Sequence, residues 1–294
     1  MRQRLLLVVP GLLVASGAAL WLSAWHPVPA FPDPDPASLP VPILTSEEYS
    51  ARMAGHARPY VFEAGNARGA VLVFGAEHTR DPAAPQLAAL RARFAVFRPS
   101  AALVEGRLGH LLPWFQDPVR RHGESGLVRA LARAAAIPCW TWEPSIEDEL
   151  RAVLARHPRE RVALFYVLRP YGSGLRHGRP ADPDAVVEGT RGRRTRWPGL
   201  EGALPDLAAV DAAWRRECPG AGDWRDHSDV HGWPGTLAAV FADSNAARDE
   251  HFARVLLHLA HRGERVFAVC GSSHAVKLEP AVRAALAAAA PGQR

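Results

Sequence analysis

Short apolar runs alternate along the chain with longer stretches in which apolar positions recur every three or four residues. The mainly apolar runs occupy residues 70–74, 101–104, 139–142, 161–168 and 266–270. An apolar run without alternation is typical of a strand that is buried on both faces of a sheet. We therefore predict five such strands.

The stretches between these runs have helical periodicity. Ser145 is followed three residues later by Asp148, which is a capping signal for the start of a helix. Since strands and helices alternate, the predicted fold class is α/β, with a mainly parallel sheet flanked by helices and right-handed crossovers. The predicted helices cover residues 86–94, 124–136, 145–157, 245–261 and 276–289.

Residues 170–240 interrupt this alternation and are rich in Gly, Pro, Arg and Trp. Only a short helix over residues 207–216 is predicted there, so the segment is expected to be an irregular insertion over one face. His227 and His231 lie in it four residues apart, but Gly232 argues against a helix that would bring them together. We expect no metal site from this pair.

The first part of the chain has the pattern of an exported protein. Residues 5–25 contain no charged residue, and Arg2 and Arg4 precede them. Such a length can span a bilayer as a helix and also suits the core of a long signal peptide, with the arginines on the cytoplasmic side. Cleavage after Ala24 would leave Leu22 at a position that favours small residues, so an uncleaved anchor is preferred over a cleaved signal. Either form is expected to leave the rest of the chain outside the cytoplasm, membrane-anchored or secreted.

A proline-rich stretch, PVPAFPDPDPASLPVP, covers residues 27–42. Proline fixes φ and favours an extended, stiff backbone, which suits a spacer between membrane and domain. The predicted organisation is therefore an anchor or signal at 1–26, a linker at 27–45 and an α/β domain at 46–294.

Composition narrows the class of protein. The chain is 48% hydrophobic and 22% charged, which is typical of a folded globular protein. Its formal net charge is +5, but no basic run with interleaved aromatic residues is present, so we expect no nucleic-acid partner. Its three cysteines lack the spacing of a metal or redox motif, and buried free thiols are expected. The sequence indicates no oligomeric state.

Polar residues follow each predicted strand. In an open parallel sheet, ligands bind outside the carboxyl ends of the strands, so these residues are expected to share one edge. A Gly-x-x-His segment occurs twice among them, and the glycine lets the chain turn sharply off its strand. In chain order the residues are His78 of GAEH, Glu105, Glu143, Arg169 and His274 of GSSH.

Arg248 is expected at the same edge. It lies four residues before Phe252, on the apolar face of the helix predicted from residue 245. A helix that leads into a parallel strand starts at the edge where the strands end. Arginine on an inward face needs a carboxylate or an anionic ligand as partner.

Several of these residues also have ordinary structural explanations. Glu143 is expected to cap the next helix and Ser272 the last one. Arg169 is expected to be structural, while Glu77 has no preferred role. The convergence of the remaining residues favours one functional site. That site is predicted to consist of His78, Glu105, Arg248 and His274.

At these positions the sequence resembles a known superfamily, the TraB/TIKI/PrgY, ChaN and erythromycin-esterase group. The resemblance is carried by GAEH at 75–78, LVEG at 103–106, Arg248-Asp249 and GSSH at 271–274, and it covers about residues 68–280 except 170–240. It implies an α/β fold with two Gly-x-x-His motifs and a glutamate at the active site. Some members are similar to divalent-metal proteases, some are macrolide esterases with a histidine base, and ChaN-like members bind haem. The esterases have glutamate directly after the first glycine, where this chain has Ala76, which argues against a macrolide esterase.

The leading expectation is an extracytoplasmic hydrolase that acts on a peptide or ester bond of a small-molecule or peptide substrate. Two imidazoles and a carboxylate suit a divalent ion such as Zn²⁺, Mn²⁺ or Co²⁺, bound by His78, Glu105 and His274. Arg248 would stabilise the developing oxyanion. Without a metal, His78 would act as a general base oriented by Glu105. The alternatives are a haem- or metal-binding protein of the ChaN type without turnover, and an inactive member.

Overall fold

The computed structural model describes residues 21, 24–32, 34, 39–52 and 55–288. Of the apolar segment 5–25, only Trp21, Ala24 and Trp25 fall within this part of the chain. No helix among the described residues is long and apolar enough to cross a membrane. The anchor or signal therefore stays a prediction.

The chain divides into two compact units. The sheet unit consists of Met1–Glu143 and Phe252–Arg294, and the helical unit of Pro144–His251. The α/β domain expected over residues 46–294 stays a prediction, and residues 170–240, expected to be an insertion, lie within the helical unit. That unit begins well before residue 170, where the insertion was expected to start.

The sheet unit contains one five-stranded sheet, which confirms the α/β fold class. Its strand order is β1-β2-β5-β3-β4. β1 runs antiparallel to β2, and the other neighbouring pairs are parallel. The strands are β1 Tyr60–Gly65, β2 Ala70–Ala76, β3 Ala101–Val104, β4 Cys139–Thr141 and β5 Arg265–Gly271.

Helices cover most of the remaining described chain. α8 is a single helix that begins in the helical unit and ends in the sheet unit, since the boundary falls at Phe252. In chain order the helices are α1 Ser46–Arg52, α2 Pro85–Phe97, α3 Pro118–Ala134, α4 Ile146–Leu154, α5 Arg159–Gly174, α6 Pro183–Arg194, α7 Leu207–Glu217, α8 Leu237–His261 and α9 Ser272–Ala288.

The two faces of the sheet bury alternate residues of the same strands. On one face, Leu72 and Phe267 pack in a core with side chains of α2 and α3. On the other face, Val71 and Val266 pack in a core with the end of α8 and with α9. Burial on both faces explains why these strands are continuous apolar runs. Four of the five predicted strands are present as β2, β3, β4 and β5.

β1 was not predicted from the sequence. Its burial alternates, with Phe62 and Ala64 buried and Glu63 and Gly65 exposed, as expected for an edge strand. A tight turn joins it to β2. In this turn, Asn66 Oδ1 accepts hydrogen bonds from Arg68 N and Gly69 N. Asparagine favours such turns because its side chain bonds to backbone amides just ahead of it.

The strand predicted over residues 161–168 is wrong, because these residues form part of helix α5. Every residue from Val162 to Leu168 is buried. A helix that is buried all round is apolar at every position and cannot be told from a buried strand by its pattern. Arg169, which was placed at a strand end, therefore lies within α5 of the helical unit.

Residues 170–240 contain the predicted helix as α7 and a further helix, α6. Asp182 and Asp206 cap these helices through their side chains, which accept hydrogen bonds from Ala185 N and Ala209 N at 2.9 and 2.8 Å. The segment is rich in arginine, which did not suggest a helix from composition. At the end of α6 the arginines interact favourably with the negative end of the helix dipole.

Part of the proline-rich segment is packed onto the sheet unit. Val28 and Phe31 are buried. Phe31 N donates to Thr141 O at 3.1 Å, and Thr141 N donates to Pro29 O at 2.9 Å, so this stretch lies beside β4. Residues 24–31 therefore do not form the free spacer that the proline content suggested.

Candidate functional site

Three of the predicted site residues follow neighbouring strands of the sheet. His78 comes two residues after β2, Glu105 directly after β3, and His274 lies in the first turn of α9, just after β5. β2, β5 and β3 are adjacent and parallel, so their carboxyl ends meet at one edge. The structure brings these three side chains together there.

The Glu105 carboxylate lies between the two imidazoles. Its Oε2 is 3.9 Å from His78 Nε2, and its Oε1 is 3.8 Å from His274 Nε2. Gly271 N donates a hydrogen bond to Glu105 Oε2 at 2.7 Å. A short bond from a backbone amide to a carboxylate is a strong, charge-assisted one, so it fixes the orientation of Glu105.

Exposure distinguishes the three side chains. The His78 side chain is 48% exposed, whereas those of Glu105 and His274 are 18% and 9% exposed. His274 packs edge-on against the Trp142 ring at a centroid distance of 5.3 Å. His78 is therefore the group that an incoming molecule reaches most easily, and the other two form the floor of the site.

Two glycines allow the strand ends to approach this closely. A Cβ on Gly271 would lie 3.1 Å from His78 Nε2, and one on Gly75 would lie 2.7 Å from Ala275 Cβ. The buried Ser272 hydroxyl lies 2.9 Å from the carbonyl oxygen of Gly75 and 3.0 Å from that of Ala76. The start of α9 is thus tied to the end of β2, which sets the separation of the two histidines.

Sequence reasoning missed Glu124, which the structure places beside His78. Its Oε2 is 3.6 Å from His78 Nδ1, and its side chain is only 6% exposed. Its Oε1 accepts hydrogen bonds from Thr79 N at 2.6 Å and from Gln86 Nε2 at 3.2 Å. Glu124 is therefore a buried carboxylate held in place against the ring of His78.

A local signal for Glu124 was present in the sequence. Gly123 interrupts α3 with a φ of +60°, and a Cβ there would lie 2.8 Å from Thr79 O. The left-handed conformation of Gly123 brings α3 close to the loop that follows β2. A glycine inside a helical pattern marks such a close approach, but the pattern alone did not say which residue it would present.

Gln86 connects the loop that carries His78 to α2. Glu77 N donates to Gln86 Oε1 at 3.0 Å, and Gln86 Nε2 donates in return to Glu77 O. The Glu77 side chain itself is 59% exposed and lies 3.7 Å from an Arg58 nitrogen. The backbone at Glu77 therefore positions the loop, while its carboxylate points to solvent.

A proton or a cation between an imidazole nitrogen and a carboxylate oxygen would stabilise their close approach. A neutral imidazole carries one N–H, and its other nitrogen is a lone-pair acceptor. Both ring nitrogens of His78 face carboxylates, one of Glu124 and one of Glu105. Two carboxylates therefore flank the ring of His78, one at each nitrogen.

The residue types fit a divalent transition metal. Ligands about 2.0–2.2 Å from a tetrahedral Zn²⁺ ion are roughly 3.4 Å apart, which is closer than the two nitrogen–oxygen separations of 3.9 and 3.8 Å. Within the described ranges, no group of three or more His, Cys, Asp or Glu side chains is placed to hold a metal ion. Small rotations of the side chains would therefore accompany binding.

Arg248, the fourth predicted site residue, belongs to the helical unit. It lies in α8, is 5% exposed, and its Nη1 donates to Asn245 Oδ1 at 3.0 Å. The next residue, Asp249, is fully buried. The burial of an arginine with acidic and amide neighbours agrees with the need for a partner, and its participation in the site stays a prediction.

The other strand-end residues have structural contacts. Glu143 Oε1 accepts from Gly106 N at 3.2 Å, whereas the N-cap of α4 is Ser145, whose hydroxyl accepts from Asp148 N at 3.0 Å. The expectation that Glu143 caps α4 is therefore wrong. Arg169 Nη1 lies 3.7 Å from Glu149 Oε1 within the helical unit, which agrees with a structural role.

No family model, curated protein or solved structure matches the chain. The superfamily resemblance drawn from the short motifs accordingly remains a prediction.

Proposed function

We propose that His78, Glu105 and His274 form the site of a hydrolase that cleaves a peptide or ester bond. The observation that carries this proposal is the Glu105 carboxylate between two imidazole nitrogens, at 3.9 and 3.8 Å, beside a half-exposed His78. The cluster lies at the carboxyl edge of parallel strands, which is where α/β proteins bind their ligands. The resemblance of the motifs to the TraB/TIKI-like superfamily supports the same reaction class.

His78, Glu105 and His274 would hold a divalent metal ion, which supplies Lewis-acid polarisation of a carbonyl and an activated water. In this role both histidines bind through neutral Nε2 atoms. Glu124 supports this state of His78, because a carboxylate facing Nδ1 favours the tautomer with the proton on that nitrogen. The hydrogen bond from Gly271 N aims the Glu105 carboxylate between the rings.

The same tautomer suits a mechanism in which His78 acts as a general base. With its Nδ1 proton directed at Glu124, His78 presents a basic Nε2 on the exposed side of the site. Both mechanisms therefore require the same histidine nitrogen. The reaction is proposed to take place outside the cytoplasm.

The test combines metal binding with hydrolysis. Full-length protein stripped by a chelator is titrated calorimetrically with Zn²⁺, Mn²⁺ and Co²⁺ at neutral pH, and its cleavage of ester and peptide substrates is followed. We expect saturable binding of at least one ion and activity that depends on it. His78→Ala, Glu105→Gln and His274→Ala should each remove saturable binding and strongly lower hydrolysis, while His227→Ala, in the helical unit, should change neither.

The outcomes separate the alternatives. Hydrolysis without any saturable metal binding would favour the general-base mechanism at His78. Binding without turnover would favour a metal- or haem-binding protein, which a visible absorption band of haem-loaded protein would identify. Activity and metal binding that survive in both histidine variants would contradict the proposed site.

A further inference from the structure

Three large aromatic side chains are exposed on the sheet unit. Trp21 is 59% exposed, Trp114 is 55% exposed and Phe115 is 74% exposed. Single exposed apolar residues are ordinary on a protein surface, but a cluster of large ones marks a contact surface. We call these three residues the aromatic patch.

The two segments that carry the patch are hydrogen-bonded to each other. Trp25 N donates to Leu111 O at 2.7 Å, and Leu111 N donates to Trp25 O at 3.0 Å. The Trp21 ring lies 5.0 Å from the His110 ring, measured between centroids. Trp114 follows Leu111 by three residues, so chain length alone keeps the Cα atoms of these two residues within roughly 10 Å of each other. The aromatic patch is therefore one local surface.

The tip that carries Trp114 and Phe115 is a closed turn. Phe115 N and Gln116 N donate to Leu112 O at 3.0 and 2.9 Å. The Gln116 side chain closes the turn from the other side, because its Oε1 accepts from Leu112 N at 2.9 Å. Both aromatic side chains of this turn are exposed.

Arginine side chains fasten the patch to the body of the sheet unit. Arg129, which is 4% exposed, donates to the backbone oxygens of both segments, at Gly109 and at His26. The guanidinium groups of Arg129 and Arg133 lie 5.4 and 5.1 Å from the centroid of the Trp25 ring. These contacts attach both segments that carry the patch to α3.

The sequence that precedes Trp21 identifies the partner. Residues 5–20 contain no charged residue and end at the patch. Three rings are too small a surface to cover sixteen consecutive uncharged residues, so this stretch needs an apolar medium of its own. Tryptophan and phenylalanine favour the interface of such a medium, where rings sit among the lipid headgroups.

We propose that Trp21, Trp114 and Phe115 insert together into the headgroup region of the lipid bilayer that receives residues 5–20. The sheet unit would then rest on the membrane at the tip 112–116, in addition to its tether. This proposal is independent of the hydrolase activity proposed above.

Depth measurements on full-length protein in vesicles of phosphatidylethanolamine and phosphatidylglycerol test this directly. A nitroxide is attached at Phe115→Cys or, as a control, at Val96→Cys in α2, where the native side chain is 81% exposed. The buried Cys218 and Cys270 and the partly buried Cys139 are assessed by labelling the parent chain. We expect the label at 115 to favour oxygen over a water-soluble nickel complex, at a depth of about 5–10 Å, and the label at 96 to be fully accessible to nickel.

Three results would overturn the proposal. The label at 115 could be as accessible to nickel as the label at 96, which would place the tip in water. It could be protected from both oxygen and nickel, which would indicate a second copy or the chain's own residues 5–20 on the patch. The full-length protein could also fail to associate with the vesicles. Unchanged far-ultraviolet circular dichroism and melting of both cysteine variants would verify that the fold is intact.

Discussion

The two Gly-x-x-His segments have the same spacing and are carried by different backbones. In the first, β2 extends through Gly75 to Ala76, and His78 lies in the loop beyond it. In the second, β5 ends at Gly271 and Ser272 begins α9, so His274 lies in a helical turn. The side chain of His78 is 48% exposed and that of His274 is 9% exposed.

This difference teaches that one motif can supply two different kinds of histidine. His274 packs against Trp142, whose ring stacks on Phe252 at a centroid distance of 4.3 Å. His78 is instead oriented by polar groups, with Glu105 and Glu124 facing its two nitrogens. Packing therefore orients the ring of His274, and the neighbouring carboxylates orient the ring of His78.

The largest effect is expected from replacing the exposed histidine. His78→Ala should lower kcat/KM for the proposed hydrolysis by about 10²–10⁴-fold and change the free energy of unfolding by less than about 1 kcal/mol. His274→Ala should lower activity too, but should also destabilise the fold by about 2–3 kcal/mol, because it leaves a gap beside Trp142. Substrate kinetics and urea unfolding of both variants measure the two quantities.

Equal losses of stability in the two variants would contradict the distinction between His274, held by packing, and His78, held by the neighbouring carboxylates. His56→Ala serves as the control. His56 contacts Tyr49 and Ala57 O in the segment before β1 and belongs to no part of the site. Its replacement should leave kcat/KM unchanged.

Among the glycines, the replacement in the first motif should cost more stability than the one in the second, which is the opposite order to the histidines. Gly75→Ala introduces a Cβ only 2.7 Å from Ala275 Cβ and 2.9 Å from Tyr60 O, atoms that cannot easily move. We expect it to destabilise the fold by about 2–3 kcal/mol. Gly271→Ala meets the movable end of His78, at 3.1 Å from Nε2, so it should cost less than about 1 kcal/mol.

Urea unfolding of the two alanine variants gives the comparison. Gly271→Ala should still lower kcat/KM for the proposed hydrolysis, because its Cβ displaces the ring of His78. A Gly75→Ala protein as stable as the parent would show that the start of α9 adjusts to the strand. The contrast between the two motifs would then rest on the histidines alone.

Continuous apolar runs predicted the strands, and the rule that ligands bind outside the carboxyl ends of parallel strands predicted which side chains meet. β2, β3 and β5 are buried on both faces, so their pattern is unambiguous when a turn follows within a few residues. α5 shows the limit of this reasoning, since a helix buried all round has the same apolar run as a strand. The error moved Arg169 from the predicted edge into another unit.

Glu124 shows a second limit. It lies 46 residues after His78 in sequence, and the contact depends on the left-handed Gly123 that folds the start of α3 against Thr79. Helical periodicity placed Glu124 at the start of a helix, where an acidic residue is expected for the dipole. Nothing in a local pattern distinguishes that role from a buried partner of a distant imidazole.

Removing the charge on Glu124 should have a moderate effect on function. Glu124→Gln keeps an oxygen for the hydrogen bond from Thr79 N but loses the carboxylate that faces His78 Nδ1. We expect metal affinity or kcat/KM to fall by about 10–100-fold, the usual effect of losing the carboxylate behind a functional histidine. Glu77→Gln, at an exposed carboxylate two residues earlier than Thr79, is the matched control. Equal effects of the two variants would contradict a positioning role for Glu124.

The smallest effect concerns a third histidine, His122, which neither motif contains. Burial and the nearby guanidinium groups of Arg129, Arg121 and Arg80 lower its pKa to about 4. Its Nε2 is buried and has no hydrogen-bond partner among the described residues. In the unfolded chain an ordinary histidine has a pKa of about 6.5, so between that pH and about pH 4 the unfolded state binds a proton that the native state excludes.

The contribution of His122 to stability is therefore complete above about pH 6.5 and is lost as the pH falls towards about 4. Because the ring is only partly buried, we expect a loss of about 1–2 kcal/mol, below the roughly 3 kcal/mol that the full pKa difference would give. Urea unfolding at pH 7.5 and pH 4.5 measures it, with His122→Gln as the comparison that cancels the titration of all other groups. The parent should lose more stability than the variant on acidification, whereas equal losses would show that His122 is protonated as readily in the folded chain as in the unfolded one.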